Sequence, residues 1–250
     1  MRGLLIGLAL ALVSGPAALA QTPQQRDWCY GPTATDDQTI DGCTAVIQSS
    51  RETSANQALA YDDRGFAYEN KGLNDQAIAD ENQSLALNPN SANAYNNRGI
   101  AYDNKGLYDL AIADYDRSLA LKPDTASAYS NNGNAFAYSN RGNAYRGKGL
   151  YDQAIADQTQ AIALKPDYAE AYSNRGLAYV DKGLYDQAIG DYSRAISLNP
   201  NFAIAYQNRG IAYERKGSRD QAVADYRASL RLDPTRTLAR AGLTRLGATP

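Results

Sequence analysis

The chain has 250 residues with 25 basic and 27 acidic side chains, a formal net charge of -2, no histidine, two cysteines and nineteen tyrosines. The near balance of charge gives no global pull toward nucleic acid. The missing histidine removes the usual general base, the Ser–His and Cys–His nucleophile pairs and most zinc chemistry. Methionine occurs only at Met1, so a Met-rich binding surface is excluded as well.

The first element is a leader. Arg2 gives a positive start, Leu4 to Val13 is an apolar run, and Ala18-Leu19-Ala20 has the small-x-small form of a cleavage site. Residues 1–20 therefore read as a secretory signal peptide, too short for a stable membrane anchor. No later segment reads as a membrane span, so the expectation is export to the periplasm or the exterior. In an oxidising compartment the two cysteines, Cys29 and Cys43, read as a disulfide. Closing such a loop stabilises by roughly 3 kcal/mol. Residues 21–57 are expected to form a disulfide-tied cap containing a degenerate half repeat over 37–47, with Cys43 where later copies carry an aromatic residue.

From there the chain repeats. Gly65 and Gly99 are 34 apart, and Gly142, Gly176 and Gly210 follow at the same spacing after one longer step. Each copy reads as a helical hairpin. In the second, Tyr95, Gly99 and Tyr102 share one helix face, Lys105-Gly106 stops the helix, and Ala111, Tyr115 and Ser118 share a face of the next, which ends at Pro123. Asp124 offers an N-cap for the helix that follows. A lone hairpin cannot bury its aromatic face, so the copies must stack. They run over 58–91, 92–125, 126–168, 169–202 and 203–236, with a capping helix in 237–250 whose Arg236, Arg240 and Arg245 are expected to face water. The third copy is longer because Ala128–Phe136 is nearly repeated as Ala137–Tyr145. In a continuous helix, nine residues place the two aromatic stripes half a turn apart. Two readings stand for it: a tolerated duplication and an exposed docking edge.

The period and these residues closely resemble the tetratricopeptide repeat family. Tyr172, Gly176, Tyr179, Ala188, Tyr192, Ala195 and Pro200 match the family pattern of one copy, and the resemblance covers 58 to about 236. It implies an all-α, right-handed superhelical solenoid of helix-turn-helix hairpins. Two departures, Glu81 and Gln158, stand where the second helix usually carries an aromatic, and looser packing is expected there.

Arg64, Arg98, Arg141, Arg175 and Arg209 recur beside the buried face, and Asp80, Asp114, Asp157, Asp191 and Asp225 recur on the second helices. Pairing within each hairpin is the simpler account, with an anion-binding ladder as the alternative. Because the carboxylates follow the repeat, they do not converge on one pocket as glycosidase acids do, and no calcium-loop spacing occurs. No catalytic residue, metal site or cofactor is expected.

The family resemblance implies that first helices line an inner groove. Place six of each copy, counted from its first residue, holds Asp63, Asn97, Asn140, Asn174 and Asn208. This row resembles the asparagine ladder with which some relatives hold an extended peptide by its backbone. Place nine adds Phe66, Ile100, Asn143, Leu177 and Ile211 beside it. The basic carboxylate clamp of chaperone-binding relatives is missing at its places. The expected function is a protein-binding scaffold or adaptor without chemistry of its own, whose partner is a protein or peptide. The alternative is an assembly module that self-associates through its ends or its duplicated helix. Residues 21–90 hold four basic against eleven acidic groups, and residues 207–250 nine against four, a polarity that suits head-to-tail association.

Overall fold

The computed structural model describes residues 22–121 and 128–249; the expected signal segment, Pro123 and Asp124 fall outside them, and so do the side chains of 128–131. Among the described residues there are thirteen helices and no strand.

The cap is itself a hairpin of α1 (Pro23–Tyr30) and α2 (Asp36–Gln48). Thr22 opens α1 with a capping box completed by Gln25, with proline at the first helical position, an arrangement that satisfies two end N–H groups reciprocally. The two helices meet closely at Gly42, where a Cβ would lie 2.4 Å from the Gln25 carbonyl oxygen. Cys29 and Cys43 are joined as a disulfide with their Cα atoms 4.5 Å apart, and both are buried with Val46 and Ala60.

Five hairpins follow: α3 (Ser54–Asn70) with α4 (Asn74–Leu87), α5 (Ala92–Asn104) with α6 (Tyr108–Leu121), α7 (Ala128–Gly147) with α8 (Tyr151–Leu164), α9 (Ala169–Asp181) with α10 (Tyr185–Leu198), and α11 (Ala203–Lys216) with α12 (Arg219–Leu232). Helix α13 (Thr237–Arg245) covers the end. The hairpin turns follow from sequence. At Lys105-Gly106 the chain enters the left-handed region at Gly106, φ +72°. The Gly106 and Leu107 N–H groups then bond the Asp103 and Tyr102 carbonyls at 2.8 and 2.9 Å, which closes the helix end. Between hairpins, the residue before the proline is forced out of the helical region at Asn88, Lys165 and Asn199, with φ -135° and ψ 86° at Asn88.

Each second helix packs on the next first helix, and consecutive first helices also touch one another, whereas consecutive second helices do not. First helices therefore form the inner, concave row of a right-handed solenoid. The core is a column of small residues and tyrosines. Tyr115, Tyr192 and Tyr226 are fully buried, and a Cβ on Gly176 would come within 2.8 Å of the Tyr192 ring. Burying an aromatic of this size is worth roughly 1.5–3 kcal/mol.

The expected looseness at the two departures does not appear. Glu81 and Gln158 are as buried as the tyrosines they replace. Gln158 donates to the Ser139 carbonyl at 2.9 Å and to Asn143 Oδ1 at 3.1 Å, and accepts from Ser139 Oγ at 2.9 Å, so hydrogen bonds take over from ring contacts. Of the arginines of the C-terminal cap, Arg240 and Arg245 are exposed as expected, whereas Arg236 is half-buried. Arg245 makes a two-nitrogen contact to Glu214, both at 2.8 Å. Arg236 pairs with Asp233 at 3.0 Å, and Arg240 bonds the Pro234 carbonyl at 2.8 Å. Helix α7 is continuous through the duplication and has 20 residues against 13 in α5, an extra length of roughly 10 Å.

Candidate functional site: the concave face of the first helices

The recurring arginines hold the groove's scaffold. In all five hairpins Nε and Nη2 contact both oxygens of the matching aspartate, at 2.6–2.8 Å. The third nitrogen, Nη1, reaches back to the preceding second helix, to Thr44, Asn82, Asp116, Thr159 and Ser193 in turn. Two tyrosines flank each guanidinium at 5.3–6.0 Å, as Tyr95 and Tyr102 flank Arg98, a favourable cation–ring arrangement. The hydrogen bonds that each arginine donates to its aspartate, with the added Coulomb attraction, raise the arginine's pKa despite burial. These groups are staples within and between copies, and the anion-ladder alternative loses its free guanidinium row. The match of Thr44 to Asn82 also places Cys43 at the position of Glu81, in register with the aromatic of later copies. A second set of pairs, missed from the sequence, links exposed lysines at the turns to aspartates of a neighbouring copy: Lys71–Asp37, Lys105–Asp75, Lys148–Asp109, Lys182–Asp152 and Lys216–Asp186.

The asparagine row lies on successive inner helices. Asn97, Asn140 and Asn174 are half-buried, and Asn208 is buried. Each of the first three gives one N–H sideways to the preceding copy: Asn97 to Asp62 Oδ1 at 3.1 Å, Asn140 to Asn96 Oδ1 at 3.3 Å, and Asn174 to Ser139 Oγ at 3.4 Å. Asn208 instead accepts from Gln207 at 3.5 Å. Ile100, Leu177 and Ile211 are half-buried beside the row; Ile100 and Ile211 also lean on the core.

Charge along the groove is uneven once pairs are accounted for. Arg146 is bound to Asp181 at 2.6 Å and Glu214 to Arg245, which neutralises much of the C-terminal half. At the N-terminal half Asp63 and Asp103 are half-buried. Burial pushes both up to about 6, with the Asp62 charge adding to the effect at Asp63. Behind them Glu81 is pushed up to about 11 by burial first and by Asp62 and Asp80 next. It is a neutral acid at physiological pH, a state its residue type does not advertise.

Asp62, Asp63 and Phe66 of α3, the Asn93–Asn97 face of α5, and Gly133, Asn134 and Phe136 of α7 enclose a recess of about 280 Å³. Phe66 and Phe136 remain 49% and 41% exposed. Phe136 is the residue that the sequence left ambiguous, and the half-turn phase of the duplication is what brings it to the surface. One set of three metal-ligand residue types comes together among the described residues, Cys29, Cys43 and Asp63. Its two sulfurs are bonded to each other, so no thiolate is available to an ion. No helix among the described residues is long and apolar enough to cross a membrane.

Comparison with known proteins agrees with this geometry. Family models described as TPR repeat match residues 142–183 and 176–217, and models described as tetratricopeptide repeat match 92–125 and 203–236. A crystal structure of MamA is 35% identical, covering 69% of this chain and 95% of that one, with a TM-score of 0.56. A second MamA structure is 32% identical over 77% and 97%, with a TM-score of 0.55. PilF of Pseudomonas aeruginosa, 20% identical over 78% and 85% with a TM-score of 0.65, shares the fold. No curated protein sequence matches the chain significantly. Repeat period, hairpin geometry and these matches together make the chain a member of the tetratricopeptide repeat family.

Proposed function

We propose that the chain is a non-catalytic interaction scaffold that holds an extended peptide segment of a partner protein in its concave groove, and that it works after export, in the periplasm or outside the cell. The observation that carries the reading is the row of Asn97, Asn140 and Asn174 on consecutive inner helices, each oriented by a sideways hydrogen bond. An amide has two N–H groups and an acceptor oxygen. With one N–H fixing the orientation, Asn140 and Asn174 keep the other N–H and the carbonyl for a peptide backbone running across the copies. Ile100, Leu177 and Ile211 would then receive alternate side chains.

The test begins by panning random linear peptides against the intact chain. A captured peptide is measured by fluorescence anisotropy on the wild type and on Asn140→Ala/Asn174→Ala. Loss of two peptide hydrogen bonds should weaken binding about tenfold or more with helical content unchanged. Equal affinity in the folded double variant would refute a groove held by these amides.

A second reading, self-association, has one specific support. Leu230 and Pro234 form an apolar recess of about 430 Å³ with Arg227, Arg231 and Arg240 at the basic end of the solenoid, opposite the acidic cap. Sedimentation across a concentration range decides it: a constant monomer would remove this reading.

A further inference from the structure

We infer that Asp103, Glu69 and the hydroxyl of Tyr115 together form a seat for a lysine ammonium carried by the bound segment. This rests on the groove reading and names the side chain that the N-terminal half of the groove selects.

One turn after the glycine that each first helix packs on its own second helix, the copies carry Glu69, Asp103, Arg146, Val180 and Glu214 in turn. The last copy shows this place complete. The Tyr226 hydroxyl donates to Glu214 Oε2 at 2.5 Å, and Arg245 holds both oxygens of the same carboxylate at 2.8 Å. The second copy repeats the aromatic and the acid. Its Tyr115 ring lies on Gly99 as the Tyr226 ring lies on Gly210, 2.7 and 2.9 Å from where a Cβ would stand, so the hydroxyl is aimed along α5 at Asp103. Asp103 is one methylene shorter than Glu214, and the bond does not form. The Tyr115 oxygen is fully buried without a hydrogen-bond partner, and the charges acting on it most are Asp103 and then Glu69.

No cation among the described residues completes the set. The Asp103 carboxylate takes part in no hydrogen bond or ion pair with them, and burial alone raises its pKa. Glu69 accepts only an amide N–H, from Asn104 at 3.1 Å. The nearby cations are taken: Arg98 by Asp114, Lys105 by Asp75, Lys148 by Asp109 and Arg146 by Asp181. The Tyr192 hydroxyl of the fourth copy is also without a partner, but the charges acting on it most, Arg146 and Asp181, are already joined to each other. Glu69 and Asp103 are half-buried on the inner face, so a segment lying in the groove can present a cation to both, with the Tyr115 oxygen as a third acceptor beneath them. An ammonium suits this set better than a guanidinium. Arg245 lies across a single glutamate whose two oxygens match its fork, whereas here the acceptors are divided among α3, α5 and α6. A compact charge with three rotatable donors on a flexible stem can meet all three.

The probe is a fluorescein-labelled peptide of glycine, serine and lysine, compared with its acetyl-lysine counterpart, which keeps the stem and loses the charge, and with an arginine counterpart. At about pH 7.5, above the value of about 6 at Asp103, the wild type should prefer the lysine peptide to the acetylated one by about tenfold or more, the worth of one charge-assisted contact. The arginine peptide should bind less tightly than the lysine peptide. Asp103→Asn should abolish the preference for charge with helical content unchanged. Tyr115→Phe removes a hydroxyl that has no partner in the free chain, so its urea midpoint should equal or exceed that of the wild type. The same variant should weaken the lysine peptide and leave the acetylated one unchanged, a split that a purely structural role for the hydroxyl would not produce. Asp220→Asn, which removes the same charge far away, should keep the preference. Equal binding of the lysine and acetyl-lysine peptides, arginine bound as tightly as lysine, or a preference that survives Asp103→Asn overturns the inference. If the lysine and acetyl-lysine peptides bind equally and Asn140→Ala/Asn174→Ala weakens both, the ammonium seat fails while the groove stands. If no peptide binds, the inference fails and the panned peptides judge the groove alone.

Discussion

Glu81→Gln should stabilise this protein at neutral pH, and by an amount that depends on pH. The side chain stands in register with Tyr115, Tyr192 and Tyr226, packs against Gly65 and is fully buried. Burial, followed by Asp62 and Asp80, raises its pKa from the ordinary 4.5 to about 11. Between those limits the folded chain keeps a proton that the unfolded chain has released, so stability falls as pH rises. The slope is about 1.4 kcal/mol per unit. Its contribution is fully present below pH 4.5 and by pH 7 has dropped by about 3 kcal/mol. Glutamine has no proton to lose, and its amide N–H can donate to Asp62, much as Gln158 donates to groups on its own first helix. Urea melts followed by helical circular dichroism at about pH 4, 5.5, 7 and 8.5 would check it. The variant should match the wild type near pH 4 and pull ahead steadily above it. Hydrogen exchange in α3 and α4 would place the gain locally. A gap that stays constant with pH would refute the argument, because it would mean that Glu81 does not hold its proton in the folded chain.

Three further outcomes follow from the same contacts. Asp114→Ala leaves the Arg98 guanidinium enclosed without its carboxylate and should cost about 3–5 kcal/mol, whereas Arg98→Leu with Asp114→Ala should recover most of it; a denaturation cycle reads both. Reducing Cys29–Cys43 should destabilise the cap by roughly 3 kcal/mol, seen as faster exchange in α1 and α2 with α9 to α12 unchanged. Gly176→Ala pushes a methyl to within 2.8 Å of the Tyr192 ring and should cost about 1–3 kcal/mol, measured as a lowered urea midpoint.

The hairpins were legible because their instructions are local and repeated. Tyr95, Gly99 and Tyr102 announce a helix face, and Lys105-Gly106 announces its end. Arg–Asp pairing within a hairpin was legible for the same reason, since both residues recur in step. The third contact of each arginine was not, because Asn82 or Thr159 matters only once the preceding copy is docked. Helix α1 escaped notice although Thr22-Pro23-Gln24-Gln25 carries a capping box with proline at its start, a signal hidden beside the expected cleavage site. Glu81 was visible as a departure, yet residue type predicts exposure and charge, and only burial among other carboxylates makes it a neutral acid. In the candidate groove, the row of asparagines could be placed from period alone. Phe136 could not, because the duplicated text offers two registers and the packing of Gly142 on Gln158 selects the second.

That selection bears on how such a chain can change. From Ala135 onward α7 keeps the frame of an ordinary copy, and the added text lies before it, at the end of the helix farthest from the hairpin turn. A repeat protein is usually thought to vary by whole modules, gained or lost, or by single substitutions. Here a short stretch that is neither a module nor a whole number of helical turns was added without shifting any downstream copy out of phase. The stacking frame absorbs it as overhang, and Gly133 and Asn134 of the overhang join Phe136 in walling the recess. One copying event thus alters the shape of a binding face while every inherited interface is left as it was. The entry ends of first helices are accordingly the positions where this architecture can try new specificities at least risk to its fold.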